Sequence, residues 1–469
     1  MHGECEQMRD ASAAVTHCLE HAGLDPDRRR EASWNPFGSL LHPGETVVLK
    51  PNLVKEEHPR APEVWRYVLT DGDVIRAVAD YVFKAVGREG KVIVADAPQT
   101  DSSFTKIAEL LGLDRLQEEY AKQGYQFELV DLRKEEWVSR GDVIVQRRKL
   151  PDDPAGYVAY DLGENSEFVG HAGAGCYYGA DYDEGEVNRH HTGGRHEYLI
   201  SGTVAQADVI FSLPKLKTHK KAGITASLKN LVGINGDKNW LPHHTEAGGG
   251  RPGDERPPGD PRQRAEKSLI RPLRQLALSV PGLGPWCFRQ AKRVGRRVFG
   301  DTTDTIRSGN WHGNDTVWRM CLDLNKIALY GNPDGTLRPE GPSHRKRHYV
   351  LVDGILAGEG RGPLDPDPVE AGVLIFGTHP ASVDAACAVL MGFDPEKIPI
   401  VRQAFQCESY PLTEWNWPEV ELVSNRPQWC GRLDQIDPAT TFHFRPHFGW
   451  RGHIEAGEPD ASLSEEELP

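Results

Sequence analysis

Short apolar runs that stop at a polar loop, alternating with amphipathic helices, constrain this chain most. TVVLKPNLV (46–54) reads as a buried strand halted by Pro51, and KVIVADAPQ (91–99) as a second strand. Between them, DGDVIRAVADYVFKAVG (71–87) carries apolar residues at helical spacing. Asp71 or Asp73 caps its start and Gly87 ends it. Strand, helix and strand at this separation make a βαβ unit, whose parallel strands need a right-handed crossover. The style continues with a helix over 102–124 and a strand over 125–132. ADVIFSLP (207–214) is a strand, KLKTH (215–219) the loop leaving it, and 224–234 a short helix. Further on come a helix over 314–331, a strand and Gly-rich turn over 348–363, a strand over 371–378 and helices over 380–392 and 398–406. The expected fold class is α/β: mainly parallel sheets with flanking helices, two lobes with a cleft between them, and long loop insertions.

The chain divides into a helical preamble (1–40), a first α/β lobe (41–244), an insertion (245–313), a second α/β lobe (314–407) and an aromatic, Pro-rich C-terminal extension (408–469). The insertion opens with TEAGGGRPGDERPPGDP (245–261), five Gly and four Pro in seventeen residues, a composition that builds no packed core. It reads as a mobile loop, placed to act as a lid because it follows His243 and His244 directly. Residues 262–299 then hold ten Arg or Lys against one acid, Glu266, with apolar residues between. Such a stretch is a solvated basic face, or a contact to an acidic partner or membrane surface.

With 469 residues at a net charge of −14, the chain lacks the basic field of a nucleic-acid binder. No apolar run is long enough to cross a bilayer, and the start is not a signal peptide. A cytoplasmic setting is expected. Eight cysteines form no CxxC pair, which argues against an iron–sulfur cluster or zinc ribbon. GEGRGP (358–363) is followed by PLDPDP rather than a helix, so there is no NAD fingerprint.

Histidines point to the chemistry. Seven of nineteen fall within 171–244, among six lysines. Imidazole transfers protons near neutral pH and ligates metals; crowded lysines become weaker acids. PKLKTH (214–219) follows an apolar strand, where open α/β sheets bind ligands. Strand ends therefore bring together Lys50 and Asn52, Asp96, then Lys215, Lys217 and His219, with Lys229 and Asn230 on the short helix beyond. Glu359 and Arg361 in the Gly-rich turn face the same ligand. His219, Lys217 and Lys229 are the expected catalytic groups. Lys50, Asn52, Lys215, Asn230, Glu359 and Arg361 are the expected substrate binders. A divalent transition metal is expected on His219, His243, His244, Asp96 and His191.

Taken together, KPNLV, VIVADAP, ADVIFSLPKLKTHKKAGITASLKNLVGI, VDGILAGEGRGP and PASVDAACAVLMGFDP resemble the bacterial and archaeal family termed domain of unknown function 362. The resemblance spans about 46 to 406, apart from 245–313. It implies an α/β fold without a settled activity. Relatives with ferredoxin cysteine motifs differ from this chain, and His379 stands where Asp is frequent, whereas Asp384 fits the pattern. The chain is more remotely similar to the lactate racemase family, which implies proton or hydride transfer at a hydroxyl-bearing carbon. The expected function is that of a metal-dependent cleft enzyme acting on a small anionic or polyhydroxylated substrate. The alternative is a non-catalytic anion or phosphate binder that docks a partner through 262–299.

Overall fold

Valine- and isoleucine-rich segments become strands in the computed structural model, which describes residues 11–140, 143–179, 184–247, 253–258 and 305–457. Helix α1 (Ala11–His21) precedes strand β1 (Thr46–Pro51), helix α2 (Gly72–Val86) and strand β2 (Lys91–Asp96). Asp71 caps α2 by accepting from Asp73 N at 2.9 Å, and Gly87 closes it at a φ of 72°. The helix expected over 102–124 is two, α3 (Phe104–Leu111) and α4 (Leu113–Lys122), split by Gly112 in the left-handed conformation. Strand β3 (Gln126–Asp131) follows; β1, β2 and β3 pair in parallel.

Strands β4 (Glu135–Arg140) and β5 (Val143–Lys149) form a hairpin. Next come β6 (Tyr157–Asp161), β7 (Tyr177–Tyr178), α5 (Glu184–His190), β8 (Glu197–Ser201) and α6 (Gly202–Gln206). The sheet resumes with β9 (Val209–Leu213), β10 (Lys215–His219) and β11 (Gly223–Thr225), and α7 (Ser227–Asn230) leaves it. Strand β12 (His244–Thr245) pairs with β7. Helix α8 (Val317–Tyr330) leads to β13 (Arg347–Glu359), β14 (Asp367–Val369), β15 (Val373–Gly377), α9 (Pro380–Leu390) and α10 (Pro399–Ala404).

The main sheet runs β11-β10-β13-β9-β1-β2-β3, with β14 and β15 also on β13. It is mostly parallel; β11, β14 and β15 run the other way. Val47, Leu49, Val92, Val94 and Phe211 share one core with α1 and α2. Val48, Ile93 and Ile210 share another with α8 and α9. Both faces are covered, so these strands read as continuous apolar runs rather than alternating ones.

Several expectations change. The segments 41–244 and 314–407 are not separate lobes, because β13 from the second pairs with both β9 and β10 from the first. KLKTH is not a loop. It is β10, fully buried, and it continues β9 past Pro214 along the edge of β13. Within 245–261, the described parts (245–247 and 253–258) are no free lid. Asp254 is buried, and its carboxylate accepts from Thr245 N at 2.5 Å, Thr316 Oγ1 at 2.6 Å and Asp315 N at 2.9 Å. The basic segment 262–299 lies outside the described residues. Among the described residues no helix is long and apolar enough to cross a membrane.

Candidate functional site

The carboxyl ends of β1, β2, β10 and β13 converge at one end of the sheet, where α/β folds bind ligands. Two buried ion pairs form its floor. Lys50 Nζ lies 2.8 Å from Asp96 Oδ1 and donates to Pro51 O at 2.7 Å and Asn230 Oδ1 at 3.2 Å. Asp96 Oδ2 accepts from Leu53 N at 2.7 Å, and Asn230 Nδ2 donates to Lys50 O at 2.8 Å. Lys215 Nζ lies 2.8 Å from Asp353 Oδ2, which also accepts from Asp71 N at 2.9 Å. The structure thus engages Lys50, Asn230 and Lys215, expected as substrate binders, and Asp96, expected as a metal ligand, in contacts within the protein. Their polar groups are already matched, as buried charges must be.

Beyond this floor, Lys217 and Lys229 have no carboxylate partner among the described residues. Lys217 is buried and donates to Val68 O at 2.6 Å, without a carboxylate partner among the described residues. Burial, with Lys215 and Lys229 nearby, drives its pKa well below the usual lysine value. Lys229 is half-buried and has no hydrogen-bond or ion-pair partner among the described residues. Burial lowers its pKa too, while the Cys321 thiol and Asp96 act the other way. Its short helix is fixed from α9: the Asp384 carboxylate accepts from Ser227 N at 2.7 Å and Leu228 N at 3.1 Å. Asn325 of α8 donates to Leu228 O at 2.9 Å.

His219 and His243, two histidines that feel the charge of Lys229, are held in opposite tautomers. His219 Nδ1 accepts from Lys221 N at 3.0 Å and Ala222 N at 3.1 Å. With Nδ1 an acceptor, the neutral ring carries its proton on Nε2. His243 Nδ1 lies 2.9 Å from Leu241 O, which can only accept. That ring is protonated on Nδ1 and leaves a lone pair on Nε2. Neither Nε2 has a hydrogen-bond partner among the described residues. Both rings stay neutral. Burial and then Lys229, Lys220, Lys217 and Lys221 push the His219 pKa far down; burial, Lys221 and Lys229 do so for His243.

Among the described residues, the metal ligands expected from sequence form no group of three or more metal-ligating side chains. His219 Nε2 bears a proton, and Asp96 is spent on Lys50 and Leu53. His191 sits in an aromatic cluster with Phe168, Tyr177 and Tyr198, its Nε2 donating to Trp240 O at 2.8 Å. His244 Nδ1 lies 3.4 Å from Lys221 Nζ, a cation that repels a metal. Of the five, His243 Nε2 and the buried His191 Nδ1 each keep a lone pair without a hydrogen-bond partner among the described residues.

The turn residues also differ from expectation. Glu359 is taken by Arg445, accepting from its backbone N at 2.8 Å and its guanidinium at 3.1 Å. Arg361 is exposed on the turn beside the His219 strand. Asn52 stays at the mouth of β1, its Oδ1 buried and without a partner. Lys238 was missed as a site residue. It donates to Ala97 O at 2.8 Å, and burial lowers its amine to about 7. In the sequence only the local lysine density marked it.

A family profile described as Domain of unknown function (DUF362) matches residues 47–155 and 166–389. A thylakoid-associated protein of Synechocystis sp. is 22% identical over 363 residues, 77% of this chain and 68% of that protein. A crystal structure from Thermotoga maritima aligns at a TM-score of 0.29 and 10% identity, covering 77% of this chain and 54% of that one, so the match spans about half of the solved chain. The profile match holds β1, β2, β9, β10, α7, β13 and α9 together, and with them every residue of the lysine–histidine cluster. This chain belongs to the DUF362 family.

Proposed function

We propose that this site binds a small carboxylate and moves a proton at the carbon beside it, the chemistry of an isomerase or racemase working in the cytoplasm. The observation that supports it is the opposed pair of histidines under one field of lysines. Lys229 and Lys217 attract the carboxylate. His243 Nε2 takes the C–H proton and becomes imidazolium while the electron pair moves onto the carboxylate oxygen. His219 Nε2–H donates a hydrogen bond to that oxygen, the part a neutral imidazole plays against a developing oxyanion. Return of that proton from His243 to the planar carbon, on whichever face the bound intermediate presents, gives the product and restores the base.

The cation field weakens His243 as a base in the empty site. A bound anion cancels part of that field and strengthens the base when substrate is present. Lys238, titrating near neutrality, is a second group able to exchange a proton. Metal-assisted oxidation draws less support, since Asp96 is held by Lys50 and Leu53 and no group of three or more metal-ligating side chains stands together among the described residues. Simple anion binding draws support from the surplus of lysines.

The test is proton exchange in D2O. A panel of 2-hydroxy acids and other carboxylic acids bearing hydrogen at C2 is incubated with the protein and followed by NMR. Deuterium appears at the carbon next to the carboxylate for at least one acid, and Lys229→Met and His243→Gln each abolish it. Acids that bind without exchange identify a binding protein instead.

A further inference from the structure

The C-terminal extension does not hang free of the site. It is sewn to both loops that flank His219. Gly360 N donates to Arg445 O at 2.8 Å, Lys220 N donates to Gly362 O at 3.1 Å, and Trp450 Nε1 donates to Lys220 O at 2.8 Å. The Trp450 ring also lies against Gly223, where an added Cβ would come within 3.3 Å of it. Three stretches of chain, 360–362, 219–223 and 445–451, thus share one corner of the molecule.

The side chains in that corner leave donors without acceptors. Arg361 and Arg451 have no acidic partner among the described residues, and Arg451 Nε is buried with no hydrogen-bond partner. His447 is buried, and its Nδ1 accepts from Gly449 N at 3.3 Å, which puts the proton of the neutral ring on Nε2. Lys220, Arg451 and Arg361 all act electrostatically on this ring and, with burial, lower its pKa to about 3. The nearby acids are committed elsewhere: Glu359 to Arg445, and Asp367 to Arg445 at 2.6 Å and Arg60 at 2.7 Å. A desolvated guanidinium N–H without an acceptor is costly, and a ligand oxygen removes that cost. Arginine forks match the tetrahedral oxygens of phosphate.

We infer that Arg361, His447 and Arg451 form an oxyanion subsite for a phosphate group, built by the C-terminal extension against the turn that leaves the His219 strand. This deepens the proposed function and rests on it only in taking the phosphate and the carboxylate to belong to one molecule, a phosphorylated carboxylic acid. The subsite itself stands on its own geometry.

Inorganic phosphate tests it by calorimetric titration of the full chain at low salt. Saturable binding is expected in the parent and, little changed, in Lys229→Met. Arg361→Ala and Arg451→Ala each weaken it by roughly tenfold or more. Arg361 is exposed, so its variant keeps the fold, and circular dichroism checks the Arg451 variant. The subsite is overturned if both arginine variants bind phosphate like the parent, or if Lys229→Met abolishes binding while they retain it. Absence of saturable binding in the parent overturns it as well. None of these results bears on deuterium exchange, which separates failure here from failure of the proton-transfer reading.

Discussion

Gly233 holds the floor of the site by having no side chain. A Cβ there would lie 1.9 Å from Asp96 Oδ1 and 2.8 Å from Lys50 Nζ. Gly233→Ala therefore forces the Lys50–Asp96 pair apart, at a cost of roughly 2–4 kcal/mol. Urea denaturation reads this as a lower midpoint at unchanged slope. Lys215→Met strands Asp353 in the core and costs about 3–5 kcal/mol, whereas Lys215→Met with Asp353→Leu regains most of it. If the single and double variants are equally unstable, the pair is not the reason for the loss. The lysines at these strand ends were legible in the sequence as a group. Their roles were not, because partners such as Lys215 and Asp353 stand 138 residues apart. The tautomers of His219 and His243 were also illegible: backbone atoms set them, and no residue pattern encodes those contacts.

Elements built from apolar periodicity were read correctly: β1, α2, β2, β3, α8 and α9 all lie where the pattern puts them. Strand β10 was misread because Lys215, Lys217 and His219 break the apolar run, and burying them takes ion pairing and neutralisation that the sequence does not announce. Helix α7 depends on Asp384, whose carboxyl burial pushes up to about 8 against the two N–H bonds it accepts. A carboxyl raised in the folded state stabilises the fold at low pH. That contribution is lost as pH rises from the unfolded value, about 4, through about 8. Wild-type stability should therefore fall between pH 6.5 and 8 more steeply than that of Asp384→Asn. Parallel curves would place the proton elsewhere. Asp384→Ala, which orphans two buried N–H groups, costs about 2 kcal/mol and lowers exchange activity by loosening Lys229.

At the scale of the molecule, one interleaved sheet replaces the two lobes, and the C-terminal extension braces it. The sequence marks 408–469 only as an aromatic, Pro-rich extension, and Trp450 within it is among the largest fully buried side chains. Trp450→Ala should cost roughly 3–5 kcal/mol and reduce activity beyond that loss, because it releases the turn after His219. Long-range pairing of this kind is a property of topology, and apolar spacing along the chain does not carry it. The account turns on two neutral imidazoles of opposite tautomer beneath a shared set of lysines. Long-range 1H–15N correlation spectra of histidine-labelled protein at pH 7, assigned with His219→Asn and His243→Asn, measure this directly. The account predicts His219 protonated on Nε2 alone and His243 on Nδ1 alone. The same tautomer in both rings, or a doubly protonated ring in either, would contradict it.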